Sequence, residues 1–274
     1  MQILNGKEMA SEIIENVKDK VAKLSRPICF TDVVVGDDKA SMQYALMKKK
    51  RAEAVGIKWI DAFLPGTATT EEVINKIEEL NKVENIAGII VQLPLPSGID
   101  TQKVLNAVGP KLDVDCIGEN CKNNFYSNNP TFIFPTAKAV LYLLEKSGLK
   151  LEDKNIVIVG EGELVGKPVA HLLRTKNLNV TTVNTKTENK DELIKNADIL
   201  ISATGVPNLI KGDMLKQGAL VIDAGTSESN GSVVGDVETE TLENMDITLA
   251  PSPGGVGPLT VAFLLENILI SNAK

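Results

Sequence analysis

At 274 residues, with 43% hydrophobic and 24% charged side chains, the chain has room for two modest α/β domains and an ordinary globular composition. Its net charge of −7 argues against an extended phosphate-backbone interface, so no nucleic-acid partner is expected. Apolar runs such as Ile86–Val91 are too short for a bilayer, Met1–Gly6 lacks the features of a signal peptide, and Cys29, Cys116 and Cys121 fit a reducing compartment; no membrane partner and a cytoplasmic location are expected. With His171 as the single histidine, neither a zinc centre nor a Ser-His-Asp hydrolase is expected, and no metal is assigned.

Apolar runs alternate with amphipathic stretches, the pattern of parallel sheets flanked by helices. Gly6–Leu24 has helical spacing at Met9, Ile13, Ile14, Val17, Val21 and Leu24. Ile28–Val35 reads as a buried strand ending at Gly36, Ala40–Val55 as helix, Ile57–Phe63 as strand, Thr70–Asn81 as helix and Ile86–Val91 as strand. Pro94, Pro96 and Gly98 close this unit in a loop, and residues 109–135 show no sustained period and read as an irregular connection. Thr136–Ser147 is again helical. A second α/β run follows: strand Asn155–Val159, helix Val165–Arg174, strand Asn179–Val183, helix Lys190–Asn196, and strands Ile199–Ala203 and Ala219–Ile222. A Gly/Pro loop at Pro251–Pro258 and a helix at Thr260–Asn272 end the chain.

The turn after Val159 has the chemistry of a phosphate cradle. Gly160, Glu161, Gly162, Val165 and Gly166 join a strand to a helix start; glycines there allow a tight turn and close approach of backbone to a pyrophosphate, and the helix N-terminus favours its charge. The spacing G-x-G-x-x-x-G is one residue longer than the common fingerprint, and an ordinary strand-to-helix turn is the competing reading. Ala203-Thr204-Gly205 and Gly225-Thr226 place glycines at further strand ends, where ligands of open α/β sheets bind. Thr185 and Lys186, after the second strand of this run, suit a ribose 2′-phosphate and favour NADP, whereas Glu161 opposes that phosphate and keeps NAD as the alternative.

In the first run, Ser41, Tyr44 and Lys48 share one helical stripe, Gln92 stands where a strand ends, and Asp113 and Asp115 bring carboxylates into the irregular segment. By spacing alone, Lys48 is either proton-transfer machinery or a lysine snorkelling at the surface. The run from Val35-Gly36 through Ala40-Ser41, Tyr44 and Lys48 to Lys50 resembles V-G-x-x-x-A-S-x-x-Y-x-x-x-K-x-K, a motif of the bifunctional methylenetetrahydrofolate dehydrogenase/methenyltetrahydrofolate cyclohydrolase family. Gly88–Pro96, Asp113-Val114-Asp115, Val165-Gly166-Lys167-Pro168 and Pro253–Thr260 are similar to four more of its motifs, in the same order.

That resemblance implies an α/β fold of two domains. A catalytic, folate-binding domain takes residues 1–135 and 253–274, its last helix packing back on the first part of the chain; a Rossmann-type domain takes residues 136–252. It implies Lys48 as the catalytic lysine, Tyr44 and Gln92 beside it, Asp115 on the pteridine, and Ser41, Leu93, Pro94, Pro253, Gly254 and Gly255 as substrate contacts. The implied chemistry is oxidation of methylenetetrahydrofolate with NADP and hydrolysis of methenyltetrahydrofolate, in a cytosolic homodimer with folate bound between the domains. Departures cluster in the cofactor half. Gly160-Glu161-Gly162 replaces G-R-S, and Val183-Asn-Thr-Lys186-Thr replaces C-H-S-[RK]-T; in the first half Asp115 is followed by Cys116 instead of glycine. Two other readings stay open: an NAD-dependent dehydrogenase with little hydrolase activity, and a folate- or nucleotide-binding protein without turnover.

Overall fold

The computed structural model describes residues 1–229 and 232–272. From the N-terminus the elements are β1 (Gln2–Ile3), α1 (Gly6–Ala22), β2 (Cys29–Val35), α2 (Lys39–Ala54), β3 (Lys58–Leu64), α3 (Thr70–Leu80) and β4 (Ile86–Val91). Then come α4 (Thr101–Ala107), α5 (Glu119–Tyr126), α6 (Pro135–Lys146), β5 (Ile156–Val159), α7 (Gly166–Arg174), β6 (Val180–Val183) and α8 (Lys190–Lys195). The chain finishes with β7 (Ile199–Ser202), β8 (Leu220–Asp223), β9 (Ser227–Ser229), β10 (Ser232–Val234), β11 (Thr248–Ala250) and α9 (Val256–Asn272). Among the described residues no helix is long and apolar enough to cross a membrane.

Two compact units emerge, one from residues 11–133 and the chain after 260, the other from residues 1–10 and 134–260. In the former, β2 lies between β3 and β4 in a parallel sheet of three strands. The middle strand is buried along nearly its whole length, as parallel strands covered on both faces are. Helix α2 starts where the Asp38 carboxylate accepts the Ser41 amide at 2.8 Å, and it buries Ser41, Ala45, Lys48 and Ala52, a three-and-four spacing that makes one stripe. Helix α3 begins with a reciprocal cap: Thr69 N donates to Glu72 at 2.7 Å and Glu72 N donates to the Thr69 hydroxyl at 3.2 Å. Asn267 of α9 is buried and donates to the carbonyls of Val114 (2.8 Å) and Ile133 (3.0 Å), satisfying two main-chain acceptors of the segment read as irregular.

The other unit is an all-parallel sheet in the order β1-β11-β8-β7-β5-β6. Strand order reverses at β5, which pairs β6 on one side and β7 on the other, so the carboxyl ends of β5 and β7 flank a topological switch point. Ile156, Val157, Ile158, Ile199, Leu200 and Ile201 are fully buried, as continuous apolar strands of such a sheet require.

Several elements depart from the sequence reading. Strands β1, β9, β10 and β11 are two or three residues long, too short for a period to show. Helices α4 and α5 were not read from the sequence, and α5 lies inside the stretch 109–135 read as irregular. The last helix begins at Val256, inside the expected Gly/Pro loop, since Pro258 in a first helical turn removes no needed donor. Gln2 and Ile3 pair with Thr248 and Leu249 of β11, so the first strand belongs to the six-stranded sheet.

Candidate active site and dinucleotide cradle

The stripe on α2 carries a lysine into the interior. Lys48 is 4% exposed, against the usual habit of lysine, and its Nζ donates to Gln92 Oε1 at 2.8 Å. The same amine lies 4.8 Å from the centroid of the Tyr44 ring and forms an ion pair with Asp32 Oδ2. Gln92 Nε2 donates to the carbonyl of Leu93 at 2.8 Å, which fixes the amide so that its oxygen faces the lysine. The Leu93–Pro94 peptide bond that follows is cis.

Asp115 is electrostatically coupled to this group. Burial pushes its carboxyl up to about 6; Lys48 opposes that rise, while Asp113 and Asp32 add to it. Desolvation, and after it the carboxylates Asp115 and Asp32, push the Tyr44 phenol upward, so it stays a neutral hydroxyl at physiological pH, though 39% of the residue is exposed. Asp113 has a different task. Its carboxylate accepts the amides of Ile117 (3.2 Å) and Gly118 (2.8 Å) and so shapes the turn that presents Asp115. Cys116, in the position where the family motif carries glycine, has φ +61°, the left-handed backbone that glycine adopts most readily.

Four residues expected in this unit, Tyr44, Lys48, Gln92 and Asp115, thus interact within one site. Ser41 is buried on the same stripe of α2, and Leu93 enters through its carbonyl. Asp32 was not anticipated. The available signal was an acid inside the apolar run Ile28–Val35, where a carboxylate is costly unless something pairs with it.

In the other unit, a cavity of about 420 Å³ opens at the switch point, and its lining includes Gly160, Glu161, Gly162, Thr185, Ala203 and Thr204. These residues fit a dinucleotide. Gly160 has φ +100° and a Cβ there would stand 2.4 Å from the Ala203 carbonyl, whereas a Cβ on Gly162 would meet nothing within 4 Å, leaving room for a ligand against the backbone. No side chain caps α7, but in its first turn Lys167 N already donates to the Gly162 carbonyl at 3.1 Å and Pro168 has no amide hydrogen, so the turn itself offers few donors to an anion. Val206, Leu209 and Ile210, which the sequence reading did not single out, give the cavity an apolar wall.

Val165, Gly166, Lys186, Gly205, Gly225 and Thr226 were expected at the cofactor and do not line this cavity. For two of them the reason is packing. A Cβ on Gly166 would come 2.0 Å from the Gly160 carbonyl, so that glycine closes the loop on itself, and a Cβ on Gly225 would strike the buried Asp236 carboxylate at 2.0 Å. Gly254 has φ +116° with open space at its Cβ position, and Gly255 lies against Gly6, whose Cβ would overlap the Gly255 carbonyl. Glu161 is held in place: its carboxylate accepts from the Thr182 hydroxyl at 2.8 Å and from the Asn184 side-chain amide, and those bonds keep it below the usual carboxylate range.

A buried lysine held by an amide, in one unit, and a glycine cradle at a switch point, in the other, place the chain among dinucleotide-binding α/β proteins. Residues 4–115 match the model of the tetrahydrofolate dehydrogenase/cyclohydrolase catalytic domain, and residues 135–274 match that of the same family's NAD(P)-binding domain. The chain is 40% identical over 270 residues to the bifunctional protein FolD of Acetivibrio thermocellus, covering 97% of this chain and 95% of that protein. It is 37% identical to the bifunctional protein FolD of Staphylococcus aureus, covering 98% and 96%. The crystal structure of the bifunctional FolD methylenetetrahydrofolate dehydrogenase/cyclohydrolase from Campylobacter jejuni superposes with a TM-score of 0.93 at 34% identity, covering 100% of this chain and 99% of that one. The Trypanosoma brucei methylenetetrahydrofolate dehydrogenase-cyclohydrolase, solved with NADP cofactor and an inhibitor, gives 0.92 at 33% identity over 99% and 97%. The chain belongs to the tetrahydrofolate dehydrogenase/cyclohydrolase family.

Proposed function

We propose that this protein oxidises methylenetetrahydrofolate to methenyltetrahydrofolate with NADP and hydrolyses the product to 10-formyltetrahydrofolate. The observation that carries the reading is the buried amine of Lys48, bonded to Gln92 at 2.8 Å and lying against Tyr44, in the unit that matches the catalytic-domain model. The division of labour follows: residues of the three-stranded unit handle folate, and the glycine cradle of the six-stranded unit holds the dinucleotide. When bound, the nicotinamide accepts the hydride that leaves the methylene carbon.

The protein's own work is orientation and proton handling. Gln92, locked by its bond to the Leu93 carbonyl, holds the amine in one position. Lys48 takes a proton from water while the water oxygen bonds to the methenyl carbon; the hydroxyl proton then passes to N5 as the bond from that carbon to N5 breaks and the carbonyl forms, N10 keeps the formyl group, and the proton taken by Lys48 is the one released overall. Asp115 receives the donor groups of the pteridine, and Ser41, Leu93 and Pro94 supply further contacts. Pro253, Gly254 and Gly255 are assigned to substrate on the resemblance alone. Gly160, Glu161, Gly162, Thr185, Ala203 and Thr204 hold the dinucleotide across the cavity of about 420 Å³. A cytoplasmic homodimer completes the reading.

Substituting Lys48→Met and following NADPH formation and methenyl hydrolysis separately tests the assignment. Hydrolysis should fall by about 10²–10⁴-fold, the usual worth of a positioned general base; undiminished hydrolysis would overturn it. The Glu161 carboxylate, held by Thr182 and Asn184, supports a second reading in which NAD is accepted as well, decided by kcat/KM for both cofactors.

A further inference from the structure

We infer that Asp32 is a positioning residue for the folate chemistry: its buried carboxylate is the counter-charge that holds the Lys48 amine against Gln92 and sets the pH at which that amine becomes a base. The inference rests on the functional reading above and adds a residue to it. Asp32 sits on β2, the middle strand of its sheet, between partners Asp61 on β3 and Ile90 on β4, and is 0% exposed. Apart from the Lys48 amine on Oδ2, neither carboxylate oxygen has a hydrogen-bond partner among the described residues, and that ion pair is the one charge contact they offer it. A carboxylate placed there for packing or for a main-chain turn would accept amide or hydroxyl protons, as Asp113 does from Ile117 and Gly118. Asp32 accepts none of these, so its orientation is explained by the amine alone.

The consequence is electrostatic. An ammonium beside a desolvated carboxylate gives up its proton less readily than one beside an amide. The other titratable groups facing the pair are Tyr44 on the amine's own helix and Asp115, with Asp113 behind it, on the segment between α4 and α5. Burial raises the Asp32 carboxyl and Lys48 lowers it, the expected response of an acid whose charge is sustained by one partner.

The test uses Asp32→Asn and Asp32→Val in the full chain, with lysine carbons labelled for NMR and the Lys48 resonance identified by its loss in Lys48→Met. With the negative charge gone, the Lys48 Cε resonance should titrate at least about one pH unit lower than in the parent, a tenfold larger free-amine fraction at pH values below both midpoints. The pH midpoint of methenyl hydrolysis should move the same way, while dinucleotide binding, followed by fluorescence titration, stays unchanged. If either variant folds and both midpoints remain in place, the inference fails. If Lys48→Met retains hydrolysis while the Asp32 variants still shift the resonance, the functional reading fails and the electrostatic role of Asp32 stands.

Discussion

Removing the amine of Lys48 should destabilise the protein in a manner that depends on pH and is relieved by a second substitution. In Lys48→Met the Asp32 carboxylate keeps its site in the middle strand, 0% exposed, and loses its ion-pair partner. Breaking a buried pair from one side typically costs about 3–5 kcal/mol, because the remaining charge is desolvated without compensation. At roughly 2–4 °C per kcal/mol for a chain approaching this size, the melting temperature at neutral pH should fall by about 6–20 °C. The sign of the pH dependence follows from the folded carboxyl being raised. Its proton is held more tightly in the folded than in the unfolded state, so the variant has its greatest relative stability below the unfolded value of about 3.9 and loses it as pH rises towards the higher folded value. Acidification should therefore narrow the gap to the parent, provided both are compared where each is folded. Adding Asp32→Val removes the stranded charge, and the double variant should regain most of the loss and lose the extra pH dependence. Thermal melts monitored by circular dichroism from pH 5 to pH 8 supply all of this. A single variant as stable as the parent at pH 8, or a double variant no better than the single, would refute the claim that the amine sustains a buried carboxylate.

The remaining expectations concern ligands and the cradle. Glu161→Gln removes the carboxylate held by Thr182 and Asn184, and the ratio of NADP to NAD affinity should rise about five- to twentyfold, measured by fluorescence titration of both cofactors; an unchanged ratio separates this residue from the ribose phosphate. Burial pushes the Asp115 carboxyl up to about 6, so folate affinity carried by its carboxylate should weaken as pH falls through that region, and Asp115→Asn should abolish the dependence in an equilibrium binding assay. Gly166→Ala drives a methyl group to 2.0 Å from the Gly160 carbonyl, and the loop has to open to admit it. A loss of roughly 1–3 kcal/mol in stability and weakened dinucleotide binding should show in melts with and without cofactor; an unaffected variant would mean that the approach of the two glycines is dispensable.

The parts of this fold that were legible in the sequence are those with long, one-sided patterns. The helix read over Thr70–Asn81 corresponds to α3, which buries Val73, Ile77 and Leu80 at helical spacing, and β2, β4, β5 and β7 follow their apolar runs. The stripe Ser41, Tyr44, Lys48 was visible as a stripe, yet spacing does not say which way a helix faces, so an interior lysine and a surface one looked alike until α2 met the sheet. Gly166 and Gly225 illustrate the same limit: a glycine kept for a ligand and a glycine kept for a neighbouring backbone or carboxylate have identical sequence signatures.

What the chain determined locally was the alternation of strands and helices, the caps, and the glycine turn after β5, because each depends on residues within a few positions of one another. Tertiary structure decided the rest. It recruited Gln2 and Ile3 to β11 across the length of the chain, and it brought Gln92 within 2.8 Å of Lys48. It also turned Asp32 from an anomaly in an apolar run into the partner of a buried amine. Pairings between residues tens or hundreds of positions apart leave no local period, and the burial that gives a charge its meaning exists only once the sheets have formed.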